Sequence, residues 1–250
     1  RTSSLNAEYN DGSEYYNFDL TTNTISQGWF QGTQDCARYS FRRAPGFFDM
    51  VAYTGTGSAR TVDHNLGVAP ELMIAKVRSG TTAAWGVYVS ALGPTKNLEL
   101  NSTSAEQNFG FNLWNSTAPT STVFSVNNSP WTNSSGNNYI AYLFATLPGI
   151  SKVGSYTGTG IGLDVDCGFT AGARFVMVKR TDSGPGSWYV WDATRGIVSG
   201  NDPYFRMEST DAEVTSYDYI DPINSGFRLT IAAPAAIDTS GGQYIFLAIA

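Results

Sequence analysis

Tyr53-Thr54-Gly55-Thr56-Gly57 recurs as Tyr156-Thr157-Gly158-Thr159-Gly160, 103 residues further along the chain. The same offset aligns Val62-Asp63 with Val165-Asp166, Lys76 with Lys179 and Trp85 with Trp188. It also aligns Val87 with Val190 and Tyr88 with Trp191, giving 10 identities over the 36 positions from 53 to 88. After four extra residues in the second stretch, Ser102-Thr103 matches Ser209-Thr210, and Ala105-Glu106 matches Ala212-Glu213. Near the ends, Ser135-Gly136 and Tyr139-Ile140 match Ser240-Gly241 and Tyr244-Ile245. A period near one hundred is that of a tandem duplication, because solenoid units run roughly 20 to 50 residues.

Each copy reads as strands. Phe47 to Tyr53 runs into the Thr-Gly-Thr-Gly turn, where glycine supplies positive φ at low cost. Leu72 to Val77 and Phe175 to Val178 are near-continuous apolar runs, the pattern of strands buried on both faces. A period of two puts the shared Trp and Val of Trp85-Gly86-Val87-Tyr88 and Trp188-Tyr189-Val190-Trp191 on one face. Leu98 to Leu100 and Phe205 to Met207 alternate, and Tyr139 to Phe144 and Tyr244 to Ile249 are again apolar. No segment sustains a 3.6-residue period. The expectation is an all-β chain of two tandem, internally duplicated β-sandwich domains, each of roughly seven or eight strands, at 47–149 and 150–250. Residues 1–46 belong to neither copy. They are expected to be a short extended N-terminal segment: an arm packed on the first sandwich, or the end of a preceding domain.

Composition agrees. The 250 residues are 14% charged, against ~25% in a typical soluble domain. Aromatics make up another 14%, and 26 Gly and 10 Pro supply turns. Such a chain is no coiled coil, helical bundle or disordered polymer. A net charge of −6 disfavours a nucleic-acid groove, which needs clustered positive charge. No run of 18 apolar residues exists, so no membrane-spanning helix is predicted. The start at Arg1-Thr2-Ser3, without Met or an apolar leader, reads as a piece of a longer chain. Cys36 and Cys167 show no disulfide framework and are expected to be free thiols.

Residues able to do chemistry are few. His64 is the single histidine, and Cys167 takes its place in the second copy. A shared base or metal ligand would not become a thiol, whereas a turn position accepts either. No Gly-x-Ser-x-Gly elbow, Walker A loop, dinucleotide fingerprint or EF-hand loop occurs. One His and two distant Cys do not make a zinc site. Asp164 and Asp166 share a strand face, but their partners are Thr61 and Asp63, so one acid alone is common to both copies. Asp211, Glu213 and Glu106 read as turn caps. No catalytic residue, metal or cofactor is therefore assigned.

The duplication also sorts the aromatics. Tyr53/Tyr156, Trp85/Trp188, Tyr88/Trp191 and Tyr139/Tyr244 occur in both copies and read as repeated packing. Trp114 and Trp131 occur in Asn/Ser/Thr/Pro-rich stretches of the first copy. Tyr189, Tyr204, Tyr217 and Tyr219 are unique to the second. Trp114, Trp131, Tyr189, Tyr204 and Tyr217 are the candidate contacts for a ligand or receptor, with burial against loops or sister chains as the competing reading.

Three stretches carry a resemblance: Tyr39 to Asp49 continuing through the first turn to His64-Asn65-Leu66-Gly67-Val68-Ala69-Pro70-Glu71-Leu72, Gly168 to Phe175, and Tyr244 to Ala250. From about Tyr39 to Ala250 the chain resembles the C-terminal region of a family of tailed-bacteriophage tail and tail-fibre proteins. The resemblance implies a non-enzymatic virion component of a tail appendage, in contact with other tail proteins. It also implies a homo-oligomer, with a trimer favoured. It transfers no ligand residue. The competing expectations are a carbohydrate-binding module for host surface glycans and, behind it, a glycan-cleaving spike.

Overall fold

Every regular element is a strand among the residues that a computed structural model describes: 17–19, 24–26, 39–108, 112–183 and 186–250. β1 (Asn17–Asp19) and β2 (Thr24–Ser26) pair with each other. Trp29-Phe30 and Cys36 lie outside the described residues. The first copy holds β3 (Phe48–Thr54), β4 (Arg60–Asp63), β5 (Leu72–Ser79), β6 (Gly86–Val89), β7 (Leu98–Glu99), β8 (Val123–Val126) and β9 (Asn138–Phe144). The second holds β10 (Ser151–Thr157), β11 (Leu163–Asp166), β12 (Phe175–Arg180), β13 (Trp188–Asp192), β14 (Phe205–Arg206), β15 (Ile220–Ile223), β16 (Gly226–Leu229) and β17 (Gln243–Ile249).

The duplication is visible in the topology. The first copy forms a five-stranded sheet, β3-β9-β5-β6-β7, and the second forms β10-β17-β12-β13-β14, which is the same order strand for strand. A smaller sheet covers one face of each: β4-β8 in the first copy and β11-β16-β15 in the second. All pairings are antiparallel. Among the described residues β15 has no counterpart in the first copy.

Alternation decides what each face meets. In β5, Met73 and Ala75 join Tyr88, Phe124 and Leu143 in a core beneath the small sheet of the first copy. Leu72 and Ile74 point the other way and join Val87, Phe144, Met177, Trp188, Val190 and Leu247. The two five-stranded sheets thus pack face to face, and one core draws side chains from both copies. Val176, Val178, Trp191, Phe227 and Phe246 fill a third core beneath the three-stranded sheet. Four layers result, and the central seam is the one that a division into two sandwiches hides. Burying each of its large side chains stabilises the fold by about 1.5–3 kcal/mol.

The repeated motif is a strut beside this stack. Tyr53 stacks on its cross-strand partner Tyr139 with ring centroids 5.4 Å apart, and Tyr156 stacks on Tyr244 at 4.9 Å. The Tyr139 and Tyr244 hydroxyls donate to the carbonyls of Pro130 and Ala235. Gly55 and Gly158 admit no side chain, because a Cβ would strike the Ser134 and Thr239 carbonyls. Gly57 and Gly160 take φ of 74° and 73°, the left-handed region glycine tolerates.

The stretch before β3 does more than lie on the first copy, as expected of an arm there. Phe41 packs on Phe48, Phe144 and Phe175, closing the central seam. Tyr39 reaches the second copy: its ring packs on Phe175 and Phe205, and its hydroxyl donates to Asp192 at 2.7 Å.

Candidate functional site

The aromatics unique to the second copy form, together with Trp191, a ladder from core to surface. Tyr189 and Trp191 on β13 stack at 5.7 Å, and both meet the Tyr204 ring, at 5.2 and 5.8 Å. Tyr219 follows at 5.4 Å from Tyr204, and Tyr217 stacks on Tyr219 at 5.0 Å. Trp191, Tyr204 and Tyr189 are buried, Tyr219 is half-buried, and Tyr217 is 48% exposed. Burial, together with Tyr189 and Tyr219 nearby, pushes the Tyr204 hydroxyl well above the usual phenol range, so it stays neutral.

The five candidates therefore separate. Tyr217 alone presents its ring to solvent. Tyr189 and Tyr204 support it from below. Trp114 is 1% exposed and packs edge-on against Tyr88 at 5.9 Å, so it cannot touch a receptor while the core is closed. Trp131 is half-buried against the first copy's core. Lack of a counterpart proved a poor guide to exposure for a physical reason. Trp114 packs on Tyr88 in the first copy, and Tyr204 packs on Trp191, the counterpart of Tyr88, in the second, so both unshared rings serve as core filling.

The remaining chemical residues are tied into structure. His64 is buried; its Nδ1 accepts the Leu66 N–H and its Nε2 faces the Thr120 carbonyl at 3.1 Å. Cys167 is a buried free thiol that burial pushes up to about 12. Asp164 and Asp166 do project from the outer face of β11. A bidentate pair with Arg228 holds the Asp164 carboxyl below the usual range, and Asp166 accepts the Gly168 N–H at 2.8 Å. Beside them an open groove of about 540 Å³ runs between β10 and β11, over Gly154 and Phe246. Glu106, Asp211 and Glu213 pair with Lys96, Arg206 and Arg195 instead of capping turns.

Sequence reasoning passed over Asp202, Asp218 and Asp221, which gather beside Tyr217. The available signal was the unequal length of the copies: Asp202 falls in the stretch lengthened in the second copy, and Asp218 and Asp221 in the following stretch, which is two residues shorter there. Among the described residues no group of three His, Cys, Asp or Glu stands at metal-holding geometry, and no helix is long and apolar enough to cross a membrane.

Comparison with known proteins gives one family. A model described as a domain of unknown function, DUF7483, matches residues 14–250. No curated protein and no solved structure matches the chain.

Proposed function

The chain belongs to the DUF7483 family, and we propose that it is a non-enzymatic structural component of a bacteriophage tail appendage that presents the Tyr217 end of its ladder toward the host surface. The carrying observation is the central seam. Two copies that share one core make a stiff block, the mechanical property an extracellular fibre, spike or tail tip requires. The resemblance of residues 39–250 to tail and tail-fibre proteins supports the same reading. Its partners are sister chains, in a trimer, and other tail proteins, and its location is the virion.

A carbohydrate-binding role is the second reading, favoured by the exposed Tyr217 ring stacked on the half-buried Tyr219 beside Asp218. An exposed ring next to an acid suits the apolar faces and hydroxyls of a sugar. Antibody labelling of phage particles, with adsorption measured for Tyr217→Ala, tests both. Label on the tail with reduced adsorption supports surface contact, and label on the tail with normal adsorption leaves a spacer. Absence of label from the tail overturns the proposal.

A further inference from the structure

Asp202 is fully buried, with a relative exposure of 0%. Its Oδ1 accepts the Val198 N–H at 2.8 Å, and its own N–H donates to the Tyr217 carbonyl at 2.9 Å. The main chain of Asp202 thus joins the segment 198–203 to the segment 217–221, with the carboxylate buried at the junction. Its Oδ2 has no hydrogen-bond partner, and neither do the buried Oδ1 atoms of Asp218 and Asp221. The charged groups around it are these two acids. Arg195, on the segment before Val198, is paired with Asp192 and Glu213, and Arg228, opposite Asp221 on β16, is paired with Asp164 and also attracts Asp221, which leaves Asp202 itself without a cation partner among the described residues. A buried carboxylate facing two others with no cation is expensive, and one proton relieves it.

We propose that Asp202, Asp218 and Asp221 form a proton-operated clasp that fixes the surface carrying Tyr217. Uptake of one solvent proton by the Asp202 carboxylate turns Oδ2 into an O–H donor for a neighbouring aspartate and draws the two segments together. Loss of that proton restores repulsion among the three acids and loosens them. Tyr217 and Val198, both exposed, ride on the two sides of the clasp. The inference stands whether or not the chain serves a tail.

The direction with pH follows from burial, which pushes the Asp202 carboxyl up to about 6, with Asp218 and Asp221 adding to the rise against the backbone donors. An unfolded carboxyl titrates near ~3.9. The folded chain alone therefore holds this proton between those values. Its stabilising effect is complete below about pH 4 and is lost as pH rises through about 6.

The test compares unfolding constants of the full chain and Asp202→Asn at about pH 4.5 and pH 7.5. The wild-type constant, relative to the variant, rises roughly twentyfold over that interval. Asp218→Asn serves if Asp202→Asn fails to fold: removing one neighbouring charge shrinks the same pH dependence. A ratio that does not change with pH overturns the clasp. So does wild-type protein at pH 7.5 that calcium chloride restores to the acid-state stability, because the cluster would then be a cation site.

Discussion

Lys76 and Lys179 are structural equivalents that each carry an ammonium group into the interior. Each Nζ donates to the carbonyl seven residues on, Ala83 and Gly186, and lies over the ring two residues beyond that, Trp85 at 5.4 Å and Trp188 at 5.8 Å. Lys179 also donates to Thr103 of the other copy at 3.1 Å. Burial lowers both groups to about 8, with Glu208 and Glu99 opposing the fall at Lys179. An unfolded lysine titrates near ~10.4. Between about pH 8 and 10 the unfolded chain binds more protons, so stability contributed through these lysines rises with pH. Urea unfolding at pH 7.5 and 10 should show this rise in wild type relative to Lys76→Met/Lys179→Met. Parallel behaviour of the two proteins would refute it.

Across the duplication, Val51 opposite Ala141 becomes Gly154 opposite Phe246, so volume moves from one strand to its neighbour. A Cβ on Gly154 would sit 2.6 Å from the Phe246 ring. Gly154→Val should cost about 1–3 kcal/mol by overpacking, and Phe246→Ala about 3–5 kcal/mol by leaving a cavity. Their combination should recover about 0.5–3 kcal/mol relative to the sum, measured as coupling in a double-mutant cycle. Simple additivity would mean the swap is not compensatory.

Asp238 braces the second Thr-Gly-Thr-Gly turn by accepting the N–H groups of Thr159, Gly160 and Gly162, where Asn133 accepts from Thr56 in the first. Asp238→Ala leaves three partly buried donors without this acceptor and should lose about 1–3 kcal/mol of stability. Asp238→Asn keeps an acceptor and should lose less in chemical denaturation, since the first copy already uses Asn at that place.

Buried and exposed unshared aromatics should give opposite readouts. Trp114→Ala and Tyr204→Ala remove buried rings and should destabilise the chain by about 3–5 kcal/mol. Tyr217→Ala removes an exposed ring and should change stability by no more than about 0.5 kcal/mol. Thermal melts of the three variants separate these cases. A destabilised Tyr217→Ala would place that ring in the packing.

Strand identity was legible because near-continuous apolar runs such as Leu72 to Val77 report burial on both faces directly. Pairing was not legible: the offset aligned Tyr53 with Tyr156 and Tyr139 with Tyr244, which marks repeated packing without showing that Tyr53 stacks on Tyr139. The central seam was not legible. An apolar residue such as Leu72 or Met177 records that its face is covered but not which sheet covers it. The buried position of Trp114 was hidden by its polar neighbours, since Asn112, Asn115 and Ser116 take positive φ and turn the backbone so that the ring enters the core. The Asp202 cluster was hidden because its members stand 16 and 3 residues apart and meet only once β15 is formed.

Hydrogen exchange on Val190→Ala tests the shared core most directly. Val190 belongs to the second copy, yet its side chain lies in the seam with Leu72, Ile74 and Val87 of the first. Loss of that contact should lower amide protection in β5 and β6 by as much as in β12 and β13, because one core opens as one unit. Protection lost in β12 and β13 while β5 and β6 keep theirs would show two independent sandwiches and contradict the account.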